Sequence, residues 1–359
     1  MKKINSYCIS SFLPAFFFSF ILFSIFLFWG VFLEKISMTS KGGASFYDIL
    51  RLAAAQTPSL IPLIIPISAM TGAFFSFRKM MNTGEWKAFQ CAGWAPFDMV
   101  KPVLYVSVFI GIGHFLFSEY VSSSSLLKYK EIYNLEIKRK KRSEYEKVKF
   151  PVFKKDDNFF YAASYDSYQK KFSDFYCVTL KNGEPVYSIS AKSASFDDYL
   201  GKWILEEAKE FQKDKKNPNY SFFEKKFFSC LPFPKDLVFK TREPETENFF
   251  SLYKRIEKLK ELGLKRKKES IAFFGKIASP IASAVMIAAA AAAAMSPLGS
   301  AGMAGAGISL LFGFVYWNFS ISAQRMAEIE LLSPFWGAFM VPMFFSFLVY
   351  LVLRRFKAF

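Results

Sequence analysis

From Ile4 to Leu33 the chain carries no charged residue. A helix needs roughly 20 apolar residues to cross a bilayer core, so this run is long enough to do so. Four more such stretches follow, at Leu52–Phe77, Pro102–Ser118, Ile277–Gln324 and Leu331–Leu353. The fourth is too long for one crossing and is interrupted at Ser296-Pro297-Leu298-Gly299, which reads as a tight turn between two helices. The pattern therefore predicts six transmembrane helices. Between the third and fourth lies one long polar insert.

Lys2 and Lys3 precede the first run. The run exceeds the roughly 7–15 residues of a secretory h-region, and no small-x-small cleavage pattern closes it. It reads as a signal anchor retained in the protein. The formal net charge is +17, but 33 of the 47 Lys and Arg lie between Glu119 and Glu269, together with 24 of the 30 acids. Mixed signs describe a solvated surface, and no recognition motif accompanies them, which argues against nucleic acid.

With a cytoplasmic N-terminus, nine basic residues fall inside (Lys2, Lys3, Arg78, Lys79, Lys87, Lys101, Arg354, Arg355, Lys357) and four fall in short outer loops (Lys35, Lys41, Arg51, Arg325). The positive-inside rule favours that orientation. The blocks Lys138–Arg142 and Lys265–Lys268, near membrane ends of the insert, argue the other way. Long translocated domains escape the rule, so the insert is expected outside.

Within the insert, Phe159–Ala163, Phe175–Leu180 and Pro185–Ile189 are rich in aromatic and β-branched residues, as strands are. Asn182-Gly183 is a two-residue hairpin signal. Further strands are expected at Ser193–Tyr199, Lys202–Phe211, Tyr220–Phe228 and Leu237–Lys240, giving a sandwich, jelly roll or open barrel. Glu247–Leu262 has helical spacing with Gly263 placed as a C-cap, and reads as an amphipathic connector or as a surface helix of the strand domain.

No phosphate-binding G-x-x-x-x-G-K-[ST] loop occurs. The single histidine, His114, has no Cys or His at metal spacing, so neither a catalytic site nor a metal site is expected. No Asp or Glu falls within the six spans, which weighs against a proton-coupled carrier. Of the four cysteines, Cys8 and Cys91 fall on the cytoplasmic side and Cys177 and Cys230 in the outer domain. An oxidising compartment would allow a Cys177–Cys230 disulfide; two unpaired thiols is the preferred reading.

The stretch Leu52–Lys101 is the most informative. Pro58, Pro62 and Pro66 recur every four residues, which should kink or loosen the second span along one face. Thr83–Gly93 then forms a short amphipathic segment, closed by Pro96. It reads either as an interfacial helix with Trp86 and Phe89 among headgroups, or as a docking helix for a soluble partner.

Pro58-x-x-x-Pro62-x-x-x-Pro66, Gly72, Arg78, Glu85, Ala88 and Ala92-Gly93 together resemble the lipopolysaccharide-export permeases, the LptF/LptG (YjgP/YjgQ) family. Gly275–Pro280, Phe312–Tyr316 and Leu332-x-Pro334-Phe335-x-Gly337 extend the resemblance, and Phe46–Leu50 looks slightly more like the G-type member. The resemblance implies an α-helical polytopic membrane protein with six transmembrane helices and an inserted all-β, jellyroll-like extracytoplasmic domain. Its divisions are residues 1–121 (spans one to three, with a cytoplasmic coupling helix near 78–96), 122–245 (periplasmic β-jellyroll), 246–268 (connector helix) and 269–359 (spans four to six).

The resemblance also implies an activity. The chain would be the permease subunit of an ABC exporter in the bacterial inner membrane, extracting lipopolysaccharide or a similar glycolipid. Its partners would be a cytoplasmic ATPase dimer, a second related permease and a periplasmic jellyroll bridge protein. The chain itself would need no cofactor, ATP and magnesium being held by the ATPase. The implied coupling residues are Arg78, Glu85, Trp86, Ala88, Phe89 and Gly93, with Glu85 engaging the ATPase and Trp86, Ala88 and Phe89 packing in its groove. Spans one and five would line a lateral gate, through Phe20, Phe23 and Phe28 and through Gly302, Gly305 and Gly313. Plain lipid-facing surface and tight static packing explain those residues equally well. Headgroup phosphates would meet Lys35, Lys41 and Arg325, with Lys128 and Lys130 behind them, although Glu34 stands where the family places a lysine.

Three other readings share parts of this pattern, one of them a membrane-anchored enzyme acting on lipid, which would need a convergent acid–base or metal set that the sequence does not offer. A permease of the same architecture could carry a different lipid or a lipoprotein. A membrane-anchored adhesion or sensor protein would have the outer domain but would not need the Arg78–Gly93 segment.

Overall fold

The computed structural model describes residues 2–40, 45–138, 147–149, 151–155, 157–181, 184–213, 218–237, 244–261, 266–296 and 303–355. The chain divides into two compact units, one comprising Met1–Lys130 with Lys267–Phe359 and the other Glu131–Arg266.

The first unit is helical. Its N-terminal part holds α1 (Lys2–Ser40), α2 (Phe46–Asn82), the short α3 (Glu85–Cys91), α4 (Pro96–Phe117) and α5 (Ser123–Glu131). A π turn, Ser118–Ser122, joins α4 to α5 without a break. Helix α6 (Phe249–Glu261) belongs to the second unit. The first unit then resumes with α7 (Lys267–Ala278), α8 (Ile281–Met295), α9 (Met303–Glu328) and α10 (Pro334–Arg355).

Among the described residues, four helices are long and apolar enough to cross a membrane: Lys3–Ser37, Phe46–Asn82, Pro96–Ile137 and Pro334–Arg355. Helices α7 and α8 make a fifth if counted as one span, bent by 47°. The expected count of six is not confirmed by length and composition among these residues. Helix α9, at 26 residues, has the length of a span. The bend at Ser279-Pro280 was not foreseen, while the break after Met295 was; residues 297–302 of that break lie outside the described ones.

Small residues set the packing. A Cβ on Gly72 would lie 2.6 Å from the Phe16 Cα, so α1 and α2 cross with their backbones in contact. Phe12, Phe16, Ala69, Ala73 and Phe77 fill that seam. On another side of α2, the alanine run of α8 packs without bulk between the helices. Helix α2 runs through Pro58, Pro62 and Pro66 as one element, although each proline removes a ladder donor. Nearby hydroxyls supply others: Thr57 Oγ1 donates to the Ala53 carbonyl (2.7 Å) and Ser122 Oγ, from the π turn, to that of Ser59 (3.0 Å).

The second unit is built on one antiparallel sheet: β1 (Lys147–Lys149), β2 (Val152–Lys155), β3 (Asn158–Asp166), β4 (Lys171–Lys181), β5 (Glu184–Asp197), β6 (Lys202–Lys213) and β7 (Pro218–Phe228). Strands β3 to β7 pair in sequence order, and β1 and β2 both pair with β3. Alternation decides the faces: Phe160 and Ala162 are buried, Phe159 and Tyr161 exposed. Phe153, Phe160, Phe172, Phe175, Trp203 and Phe228 form the aromatic centre of the core. The Phe175 and Phe228 rings, on strands three places apart in the order, lie 5.9 Å apart, so the sheet curls on itself.

The strands expected separately at Pro185–Ile189 and Ser193–Tyr199 are the single β5, because Ala191 continues the buried face between them. Leu237 ends a helical turn, Pro234–Leu237, and not a strand; residues 238–240 lie outside the described ones, as do Asn182, Gly183 and Gly263. The expected connector helix is α6, tied to the residue before its start by a buried ion pair in which its Arg255 Nη1 donates to Glu247 Oε1 at 2.8 Å.

Candidate functional site

The segment from Arg78 to Gly93 forms a polar site in the first unit. Glycines with φ of +77° (Gly84) and +87° (Gly93) bracket α3, a left-handed conformation that costs other residues roughly 1–2 kcal/mol. They turn the chain out of α2 and on toward α4. Trp86 is buried, with its ring 6.0 Å from Phe77 at 73°, and pins α3 to α2. It points into its own unit, leaving Lys87, Ala88 and Gln90 exposed.

Glu85 is half-exposed and accepts a hydrogen bond from the Tyr7 hydroxyl of α1 at 2.7 Å, while Phe89 meets the Tyr7 ring at 6.4 Å. Arg78 Nη1 donates to the Ala294 carbonyl (3.2 Å) and Nη2 to Asn82 Oδ1 (3.2 Å). Ala294 lies in the last turn of α8, whose carbonyls lack intrahelical partners and attract cations. One arginine thus caps α8 from α2. Between them is a depression of about 380 Å³ lined by Arg78, Asn82, Trp86, Gln90 and Met295 among others.

The other expected groups are dispersed. Phe20 and Phe28 lie with Ile21, Ser24, Ile25 and Trp29 along a shallow, open apolar groove on the surface of α1 alone, and Phe23 is half-buried beside it. Gly313 of α9 faces Ile67 of α2, where a Cβ would meet it at 3.7 Å. Gly305 falls in the first turn of α9, and Gly302 and Lys41 lie outside the described residues. Lys35 is buried, ion-paired to Glu34 at 2.7 Å and 5.7 Å from the Tyr129 ring centroid. Arg325 is exposed and paired to Glu328 at 2.9 Å. Lys128 is exposed and Lys130 half-buried.

A second polar seam went unread in the sequence. Glu119, in the π turn, forms a buried ion pair with Lys276 of α7, and Ser123 Oγ lies 3.5 Å from the same ammonium. One turn away, His114 Nε2 and Ser279 Oγ are hydrogen-bonded at 3.1 Å, and Gly111 leaves room for Pro280. An isolated Lys276 at the head of an apolar run was the available signal.

Long apolar helices around a buried alanine-rich contact, an antiparallel β domain inserted in mid-chain and the short helix α3 bracketed by Gly84 and Gly93 fit a polytopic membrane protein of the transport-permease class. The family model for the lipopolysaccharide export system permease LptF/LptG matches residues 6–355, and the chain belongs to that family. A search of the curated proteins finds no match.

Proposed function

We propose that the chain is the permease subunit of an exporter that lifts lipopolysaccharide, or a similar glycolipid, from the bacterial inner membrane and delivers it to its own β domain on the periplasmic side. A cytoplasmic ATPase dimer hydrolyses ATP with magnesium. A second related permease completes the membrane part, and a periplasmic jellyroll protein receives the lipid. The G-type leaning, carried by Phe46–Leu50, belongs to this proposal as well.

One observation carries it. The Arg78–Gly93 segment touches two membrane helices through directed bonds, α1 through Tyr7–Glu85 and the end of α8 through Arg78–Ala294. A partner that displaces α3 thereby moves α1, whose Phe20–Trp29 face is the apolar groove. In this reading Lys87, Ala88 and Gln90 are the surface offered to the ATPase. The role of Trp86 is to transmit the displacement inward.

The test is Glu85→Arg in the assembled complex, read by ATPase co-purification and by lipid release from vesicles. The expected result is loss of transport with the permease still folded. Wild-type co-purification together with wild-type transport would remove Glu85 from the coupling role.

A second reading, a same-architecture permease for a less anionic lipid, is favoured by one observation: Lys35 and Arg325 are both neutralised by neighbouring acids. Mass spectrometry of the lipid that co-purifies in detergent distinguishes the two.

A further inference from the structure

The two ends of the curled sheet differ in chemistry. At one end lie the β3–β4 connection (167–170) and the β5–β6 connection (198–201). The connections at the other end are polar in sequence: Asp156-Asp157, Asn182-Gly183 and Asp214–Asn217. Strand β1 starts at the first end, where Lys147 pairs with Asp166, and β7 finishes there, where Phe228 pairs with Trp203. The chain therefore enters and leaves the sheet at one end. Both connections to the first unit, which holds the membrane-crossing helices, start from it.

The two turns at that end repeat one design. Asp166 Oδ1 accepts the backbone N–H groups of Tyr168 (2.9 Å) and Gln169 (3.1 Å), and Asp197 Oδ1 accepts those of Tyr199 (2.8 Å) and Leu200 (3.2 Å). The turns are tied to each other. The Phe196 N–H donates to the Lys170 carbonyl at 3.1 Å, and Lys170 Nζ pairs with Asp198 at 2.5 Å. The carboxylates are thus engaged within the turns, while Tyr199 is fully exposed and Tyr168 and Leu200 are more than half exposed. Phe233, just past β7, is also mostly exposed, with its ring 6.2 Å from that of Phe196. Its neighbour Pro232 is held by a hydrogen bond from Trp203 Nε1 to the carbonyl at 3.0 Å. Lys202 is exposed next to the second turn.

We propose that these turns are a membrane-interface anchor, with Tyr168, Tyr199, Leu200 and Phe233 resting in the headgroup region of the bilayer that the first unit crosses. Exposed apolar side chains rimmed by polar groups mark a contact surface. Three features make lipid the occupant. A tyrosine joins an apolar ring to a polar tip, the form enriched at membrane–water interfaces. Lys202 suits anionic headgroups, and the turn carboxylates that would repel them are turned to backbone N–H groups or to Lys170. Finally, the chain is tethered toward the membrane helices at this end and not at the charged one. The anchor requires the first unit to lie in a membrane, but not that lipopolysaccharide be its cargo.

The test is nitroxide labelling of the full-length chain in vesicles of phosphatidylethanolamine and phosphatidylglycerol. Single cysteines replace Tyr168, Tyr199 or, as a control at the charged end, Asp157, in a C91S/C230S background that keeps the buried Cys8 and Cys177. Electron paramagnetic resonance reads collision of each label with oxygen and with a water-soluble nickel chelate. The expected result is an oxygen-to-nickel collision ratio several-fold higher at 168 and 199 than at 157. Equal ratios at the three positions would overturn the anchor. Low collision rates with both reagents at 168 and 199 would do so too, because they mark burial against protein. Y168D/L200D/F233D, labelled at 199, should bring the ratio down to that at 157; an unchanged ratio would show that these side chains hold nothing at the membrane. Lipid transport is not measured, so failure of the anchor and failure of the export reading are separate outcomes.

Discussion

The Tyr7 hydroxyl and the Glu85 carboxylate, 78 residues apart in sequence, meet at 2.7 Å and join the first helix of the chain to the short helix after the second. The bond lies at a half-exposed surface, where a hydrogen bond to a charged group contributes about 1.5–3 kcal/mol at most. Its value is therefore positional. Tyr7→Phe keeps the ring contact with Phe89 and removes the hydroxyl alone. The expected outcome is an assembled complex that hydrolyses ATP while moving less lipid per ATP. Unchanged coupling would show that the bond transmits nothing.

Gly84 and Gly93 hold φ values that a Cβ disfavours. Gly93→Val should strain the exit from α3 by roughly 1–2 kcal/mol, lowering ATPase co-purification with little effect on the thermal midpoint of the permease. Gly93→Asn, which tolerates that conformation, should restore most of the loss.

Gly72→Leu should be far more damaging. Its first side-chain atom already falls 2.6 Å from the Phe16 backbone, and overpacking of this kind costs about 1–3 kcal/mol or more. Gly30→Leu meets nothing within 4 Å and serves as the control. Thermal unfolding in detergent, compared between the two, is the measurement.

Glu119 and Lys276 are both buried, with side chains 7% and 10% exposed. Lys276→Met alone removes the ammonium that faces a buried carboxylate and should cost about 3–5 kcal/mol. Glu119→Leu with Lys276→Met should recover most of it. Additive single losses in a double-mutant cycle would mean the two groups act separately.

Glu210 of β6 predicts an acid-sensitive seam in the second unit. Burial opposes its ionisation, but hydrogen bonds from Lys226 and Tyr187 outweigh this and hold its carboxyl below the usual glutamate range. Its contribution is therefore complete above the ordinary value of about 4.3 and disappears as pH falls through the lowered folded value. Hydrogen exchange at β6 and β7 in the full chain should accelerate in that window, and Glu210→Gln should flatten the dependence.

Much of this was legible in the sequence because the underlying physics is local. A charge-free run announces α1 and α2 wherever it occurs, and aromatic alternation marks β3 to β7. Strands β1 and β2 escaped because Lys147–Lys149 and Val152–Lys155 are short and half lysine. The site was legible as a segment but not as a set of contacts. The partners of Glu85, Arg78 and Glu119 lie 78, 216 and 157 residues away, and only the helix crossings decide that they meet. Lys35 illustrates the limit: the sequence sets Glu34 beside it, but only the folded chain shows the two paired at 2.7 Å with Lys35 buried.

The backbone contact at Phe16 and Gly72 divides α1 into two arms. Tyr7 ends one, about 14 Å from the crossing at 1.5 Å per residue, and Trp29 lies about 20 Å along the other. If α1 pivots there as a rigid rod, a push on Glu85 swings the groove in the opposite sense and about 1.4 times as far, by the ratio of these two lengths. Gly72 would then be a fulcrum, setting the mechanical advantage between one end of the helix and the other.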